Sequence, residues 1–219
     1  MNYTSHADLG GQPSHGAVVP EAEGELFHAE WEPMVLALTL AMGATGSWNI
    51  DASRAARETL PDYAQRSYYQ IWLAALQKLM MERGQIFEDE LASGHVMHPP
   101  AKVARVLLAA HVHAALAKGT PTARPDTAPP LFHMGQQVRT RTDALPHHTR
   151  LPAYVRGKCG TIASLHGNHV FADTHAQGLG EQAQPLYTVV FDGAQLWGAD
   201  SASGVQVSVD AWQSYLEPA

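Results

Sequence analysis

The sequence has few of the features that mark several large classes of protein. Cys159 is the single cysteine among 219 residues, so the chain can form neither an internal disulfide nor a cysteine-rich metal site. Lysine and arginine number 14 against 21 aspartates and glutamates, and the formal net charge of -7 repels nucleic-acid phosphates and anionic membrane surfaces. We therefore expect neither nucleic acid nor membrane as a partner.

Long apolar runs are also lacking. Gly43, Gly46 and Asp51 interrupt the longest candidate for a membrane span. Residues 1–20 have neither the basic start nor the apolar stretch of a signal peptide. Hydrophobic residues still make up 45% of the chain, enough for one good core or two small ones. These features predict a soluble protein of the cytoplasm.

The first half of the chain begins with an irregular segment and continues with helical patterns. Residues 1–26 mix glycine, proline and polar groups without a period, which indicates an extended arm that lies against a partner subunit. Residues 27–118 form a helical domain. Its four apolar patterns are a face with Trp31, Val35, Leu38 and Met42, a short helix from Asp51, a stripe after the cap Ser67, and a helix over 102–118.

The second half of the chain shows strand patterns in place of helical ones. Residues 119–131 contain four prolines among small polar residues, which is typical of a stiff linker between domains. Residues 132–219 then show short β-branched or alternating runs, separated by glycine, proline and asparagine, at 137–140, 160–165, 187–191 and 205–210. The pattern predicts an α+β protein that ends in a small β barrel.

No complete active site is visible in the sequence. Of the 13 histidines, His111 and His113 are two residues apart on the last helical pattern, whereas two metal ligands on one helix need a spacing of three or four. A phosphate-binding glycine loop with its lysine is missing, as is a nucleophile-elbow pentapeptide. This favours either a binding module or one half of a site shared between two chains.

One segment resembles a known family closely. His148-Thr149-Arg150, a turn containing Pro152, and Arg156-Gly157-Lys158-Cys159-Gly160 resemble the signature of nitrile hydratase β subunits. Further segments resemble the same family in order and spacing: Asp8–Gly11 and Phe27–Glu32 upstream, and Asp173-Thr174, Gly178–Glu181, Leu186–Val189 and Leu196–Gly198 downstream. The resemblance covers essentially the whole chain.

The resemblance implies a fold, a reaction and a partner. It implies an N-terminal arm, a helical domain and an SH3-like β barrel, assembled with an α subunit, as α2β2, to hydrate small nitriles to amides. The metal, low-spin cobalt(III) or iron(III), is bound by oxidised cysteines of the α subunit and not by this chain. Arg54 and Arg150 match the arginines that contact those sulfurs, a role that suits a planar, permanently charged guanidinium. From the residues alone, the favoured interpretation of Arg54 is a surface arginine that is solvated or paired with Glu58.

The resemblance also assigns a substrate pocket. Tyr68, Tyr69 and Trp72 match its aromatic wall, with the Tyr68 hydroxyl directed toward the metal-bound ligand, although aromatics at helical spacing are more often core. Glu58 is either part of a proton relay or a surface ion-pair partner. Ser53 replaces an aromatic residue, which leaves the pocket roomier or more polar, and His147 stands where the family has glycine.

Two other functions remain open on the sequence. One is a thiocyanate hydrolase, in which β-type halves are separate short chains, unlike the unsplit chain here. The other is an accessory or metallochaperone protein that binds the α subunit without completing catalysis; such relatives usually lack the barrel predicted for residues 132–219.

Overall fold

The computed structural model describes residues 3–12, 16–126, 129–143, 145–199 and 201–219. They divide into two units: one holds Thr4–Ala7 and the described part of 14–119, and the other holds the described residues of 1–3, 8–13 and 120–219. In the described parts, no helix is long and apolar enough to cross a membrane.

The first unit is helical. Its helices are α1 (Glu32–Gly43), α2 (Ile50–Glu58), α3 (Tyr68–Glu82), α4 (Glu88–Ser93) and α5 (Val112–Lys118), with 3-10 turns at Tyr63–Gln65 and Ala109–His111. The Asn49 side chain accepts a hydrogen bond from Ala52 N (2.8 Å) and begins α2. Helix α3 packs against α1 and α2, and its small core contains Ala56, Ala75 and Leu79.

The predicted first helix is confirmed as α1, whereas the helix predicted over 102–118 was wrong in part. Only Val35 of the predicted apolar face of α1 is buried, while Trp31 and Leu38 are exposed. The predicted helix over 102–118 is helical only from Ala109, and the side chain of Val106, in its non-helical half, is 70% exposed. A short apolar period forms a stable helix only where its face is buried, and the described part of this chain offers that segment no such surface.

The second unit is built on one antiparallel sheet. Its elements are β1 (Ala123–Arg124), β2 (Gln137–Thr140), β3 (Cys159–His169), α6 (Ala172–Ala176), β4 (Gln184–Asp192), α7 (Gly193–Trp197), β5 (Gln206–Trp212) and β6 (Leu216–Pro218), with 3-10 turns at Ala153–Val155 and Gln213–Tyr215. The strand order is β5-β4-β3-β2-β6, and β1 pairs with β3. Alternate residues of β4, among them Tyr187, Val189 and Phe191, face the core.

The mixed class of helices and sheet is confirmed, but a closed barrel is not. Among the described residues β5 and β6 lie at opposite ends of the strand order and do not pair. Only the turn Gln213–Tyr215 separates them, so the two ends of the sheet are near each other and the sheet is strongly curled. Two register shifts in β3, between Ile162 and Ser164 and between Leu165 and Asn168, accompany this curvature.

The segments predicted as arm and linker contact other segments of this same chain. Described residues 3–12 and 16–26 contain no helix or strand. Within the second unit, the Asp8 carboxylate accepts a hydrogen bond from Ala153 N (3.0 Å) and lies 3.7 Å from the Arg156 guanidinium. Within the same unit, β1 lies inside the predicted linker and adds a strand that the proline content concealed.

Candidate functional site

Helix α2 carries three of the predicted site residues, Ser53, Arg54 and Glu58, on two neighbouring turns. Arg54 is 46% exposed at its side chain and forms an ion pair with the buried Asp51 (3.3 Å), one turn earlier. Glu58 is half-buried at the end of the helix, and its backbone carbonyl accepts a hydrogen bond from His6 N (2.7 Å). Ser53, the residue before Arg54, is buried.

The aromatic residues at the start of α3 form a cluster at the surface of the helical unit. The ring centroids of Tyr68 lie 5.2 Å from Tyr69 and 5.3 Å from Trp72, and Phe27 lies 5.5 Å from Tyr69. Tyr68 is 63% exposed, whereas the core of α3 is made by Ala75 and residues further along. This placement separates the cluster from the hydrophobic core.

Arg57 joins α2 to this cluster and was missed from the sequence. Its guanidinium lies 4.3 Å from the centroid of the Trp72 ring, and Nη2 donates a hydrogen bond to Ser53 Oγ (3.1 Å). Burial lowers the pKa of Arg57 from its ordinary value. The spacing of four residues from Ser53 was the available signal, but the contact with Trp72 depends on how α2 and α3 pack.

Arg150 lies in the second unit, on the loop before the 3-10 turn Ala153–Val155. Its side chain is exposed, and its backbone N–H donates to the buried Tyr215 hydroxyl (3.0 Å). Thr149 Oγ1 donates to the same hydroxyl (3.0 Å), and that hydroxyl donates to Asp173 Oδ1. Tyr215 therefore satisfies two groups of the loop and a buried acid at once.

Asp173 accepts the hydrogen bond of the Tyr215 hydroxyl in this network and is almost fully buried. Burial raises the pKa of Asp173, and burial together with the nearby Asp173 carboxyl raises the pKa of Tyr215, so the hydroxyl keeps its proton. His147 Nδ1 lies 3.9 Å from Asp173 Oδ2, and the buried His148 has its Nδ1 3.4 Å from Tyr3 Oη. The sequence singled out Asp173 only as part of a resemblance and did not single out Tyr215.

His147 occupies a position where the resembled family has glycine. It is not among the residues with positive φ, so the backbone there is open to any L-residue. Cys159 is a free, half-buried thiol. Among the described residues, no group of three or more histidines, cysteines or acids could hold a metal ion. What these residues offer near the predicted site is cations and aromatic rings.

Comparison with known proteins identifies the family. The model "Nitrile hydratase beta subunit, N-terminal" matches residues 1–120, and "Nitrile hydratase beta subunit, C-terminal" matches residues 121–218. The low-molecular weight cobalt-containing nitrile hydratase subunit beta of Rhodococcus rhodochrous is 36% identical over 97% of this chain and 98% of its own length. The nitrile hydratase subunit beta of Pseudomonas putida is 35% identical over 97% of this chain and 98% of its own length.

Further relatives are more distant. The cobalt-containing nitrile hydratase subunit beta of Pseudonocardia thermophila is 32% identical over 96% of this chain and 94% of its own length. A chain of the recombinant thiocyanate hydrolase apo-enzyme from Thiobacillus thioparus is 27% identical, with a TM-score of 0.40, over 52% of this chain and 100% of that chain. On the two family models and the full-length relatives, the chain belongs to the nitrile hydratase β subunit family.

Proposed function

We propose that this chain is the β subunit of a cytoplasmic nitrile hydratase, assembled with an α subunit as α2β2, that hydrates small nitriles to amides. The observation that carries the proposal is the match of family models to residues 1–218, that is, to both units of the chain. The strong curl of the sheet supports an SH3-like architecture for residues 132–219 as part of the same proposal.

The metal in this proposal is cobalt(III) or iron(III) held by the α subunit. Two of the relatives are named as cobalt-containing. Such an ion supplies Lewis acidity that activates or orients water for attack on the nitrile carbon. This chain contributes no ligand, and its task is to place cations and an apolar wall around a centre that another chain holds.

The two arginines act on the sulfur ligands of that centre. Arg54 and Arg150 both present exposed guanidinium groups, whose planar fork can donate two parallel hydrogen bonds to an oxidised sulfur. Asp51 orients Arg54 from one turn earlier, and Tyr215 holds the backbone of Arg150 in place. Both cations therefore have local supports that limit the freedom lost when a partner binds.

The pocket wall comes from α2 and α3. Tyr69 and Trp72 offer ring faces to the substrate, Ser53 lines the wall next to Arg54, and the exposed Tyr68 hydroxyl would be directed toward a ligand on the partner's metal. Glu58, at the end of α2, would belong to a proton relay near the site. All of these roles need the α subunit to close the site, because Tyr68 is largely open to solvent on this chain.

The decisive test replaces each guanidinium by a point charge. Arg150→Lys and Arg54→Lys, co-expressed with the α subunit, should assemble with full metal content but lose at least about tenfold in kcat, because an ammonium group cannot make the bidentate contact. Arg139, which is exposed on β2, provides the control Arg139→Lys, which should keep wild-type turnover.

The outcomes separate the candidate functions. Hydration of acrylonitrile and benzonitrile by the metal-loaded wild-type complex is expected, and no hydration would contradict the proposal. Thiocyanate turnover in its place would identify the hydrolase. A complex that exchanges its α subunit and never reaches stable equal stoichiometry would identify an accessory protein. Wild-type turnover in Arg150→Lys would remove Arg150 from the site.

A further inference from the structure

Arg57 differs from other arginines of the helical unit in what it contacts. Arg54 and Arg66 each pair with a carboxylate on their own segment, at 3.3 and 2.7 Å. Arg57 has no carboxylate oxygen within 4.0 Å in the parts of the chain that the structure describes. Burial has the largest effect on the pKa of Arg57 and lowers it, while Tyr68, Tyr63 and, least of the three, Glu58 raise it.

The position of Arg57 is nevertheless well defined. The Trp72 ring covers one face of its guanidinium at 4.3 Å, and Ser53 Oγ accepts one of its five N–H groups at 3.1 Å. A half-buried guanidinium with this orientation still has donors to offer and has lost part of its hydration. An anion that reaches it gains a charge-assisted hydrogen bond in partly dehydrated surroundings.

The surroundings favour a small, flat anion. Trp72 contacts both Arg57 and Tyr68, so the guanidinium borders the aromatic cluster. Arg54, three residues earlier on α2, adds positive charge and lowers the pKa of Arg57. Because Ser53 is small, it holds the guanidinium without filling the space that a larger side chain would take.

From these contacts we infer that Arg57 is a specificity-determining residue, which selects nitriles that carry a carboxylate at the end remote from the cyano group. The inference rests on the proposed function, since it takes the cluster of Tyr68, Tyr69 and Trp72 as the substrate wall. The ring of an aromatic nitrile lies against that wall, and its carboxylate accepts hydrogen bonds from the guanidinium of Arg57.

The experiment uses two substrates of nearly equal shape and different charge. Values of kcat and KM are measured for 4-cyanobenzoate and 4-cyanobenzamide with the metal-loaded αβ complex, for wild type and Arg57→Met. The ratio of kcat/KM for the acid to that for the amide should fall at least about tenfold in Arg57→Met, mainly through the KM of the acid. Arg66→Met makes the same change of charge on an arginine paired with Asp62, and its ratio should equal that of wild type.

A second variant covers the case in which Arg57→Met does not assemble. Ser53→Ala keeps the charge but removes the hydrogen bond that orients the guanidinium, and it should lower the same ratio several-fold. Gel filtration and metal content report assembly independently of turnover.

Three results bear on the inference. An unchanged ratio in both variants, in enzyme that hydrates both substrates, overturns the role of Arg57 and leaves the proposed function intact. Loss of assembly in Arg57→Met together with an unchanged ratio in Ser53→Ala also overturns it. Arg57 is then needed for assembly, and the anion that it binds is a carboxylate of the α subunit and not that of the substrate. Failure of loaded wild type to hydrate either substrate or benzonitrile rejects the proposed function itself.

Discussion

The Tyr215 hydroxyl makes three hydrogen bonds in the second unit, and its removal should cost stability. In Tyr215→Phe the ring still packs against Phe171 and Trp212, so the change isolates the hydroxyl. Arg150 N and Thr149 Oγ1 lose their shared acceptor, and the buried Asp173 loses a donor.

The magnitude follows from the burial of these groups. Leaving a buried polar group without its partner costs about 1–3 kcal/mol. Asp173 is almost fully buried and bears most of this cost, while Thr149 is half-buried and water can reach it. We therefore expect the free energy of unfolding to fall by about 2–4 kcal/mol, less than the sum of three separate losses.

The assay is chemical denaturation of the full chain, followed by circular dichroism and tryptophan fluorescence. Tyr154→Phe is the matched control, because no hydrogen bond to the Tyr154 hydroxyl is seen among the described residues, and it should change the free energy of unfolding by under about 0.5 kcal/mol. If Tyr215→Phe were as mild as Tyr154→Phe, the hydroxyl would not hold the loop of Arg150.

Two further predictions concern the same unit and the helical unit. Burial raises the pKa of Asp173, so the stability that its carboxyl contributes is present below about pH 4 and is lost as the pH rises through its folded pKa. Between about pH 4 and pH 8, Asp173→Asn should therefore lose less free energy of unfolding than wild type in urea titrations, and parallel pH profiles would contradict a buried acid. Gly160→Ala should destabilise the chain by about 1–3 kcal/mol, because its Cβ would lie 2.7 Å from Val189 Cγ1 and 2.8 Å from Val190 O. Gly43→Ala in α1 is the control: its Cβ meets nothing within 4 Å, so it should be neutral or stabilising. Equal effects of the two variants in thermal unfolding would refute the packing at Gly160.

The sequence predicted correctly those helices and strands whose ends are set by neighbouring residues. Helix α3 begins after Ser67, as predicted, because Gln70 Oε1 accepts a hydrogen bond from Ser67 N (2.9 Å) and no distant residue is needed for that. The strand predicted over 137–140 has those bounds, since its alternation of exposed and buried residues is complete within four positions. Both elements carry their boundary information in their own residues.

Patterns that need a partner surface were less reliable. The apolar period of 102–118 predicted a longer helix than the structure contains, and a closed barrel was expected where the sheet is curled but open in the described residues. The first depends on a surface that buries the face, and the second depends on the paths of strands far apart in sequence. Neither is encoded within a short window.

The sequence by itself determined the family and the change from helix to strand near residue 120, because both rest on residue types at short spacing. Arg54, Arg150 and Tyr68 became candidates through the family resemblance. Only the tertiary structure decided that Arg57 reaches Trp72 and that Tyr215 supports Arg150, 65 positions earlier. A charged or polar side chain finds its partner through the packing of whole elements, and that packing is set by cores and strand order that no local spacing records.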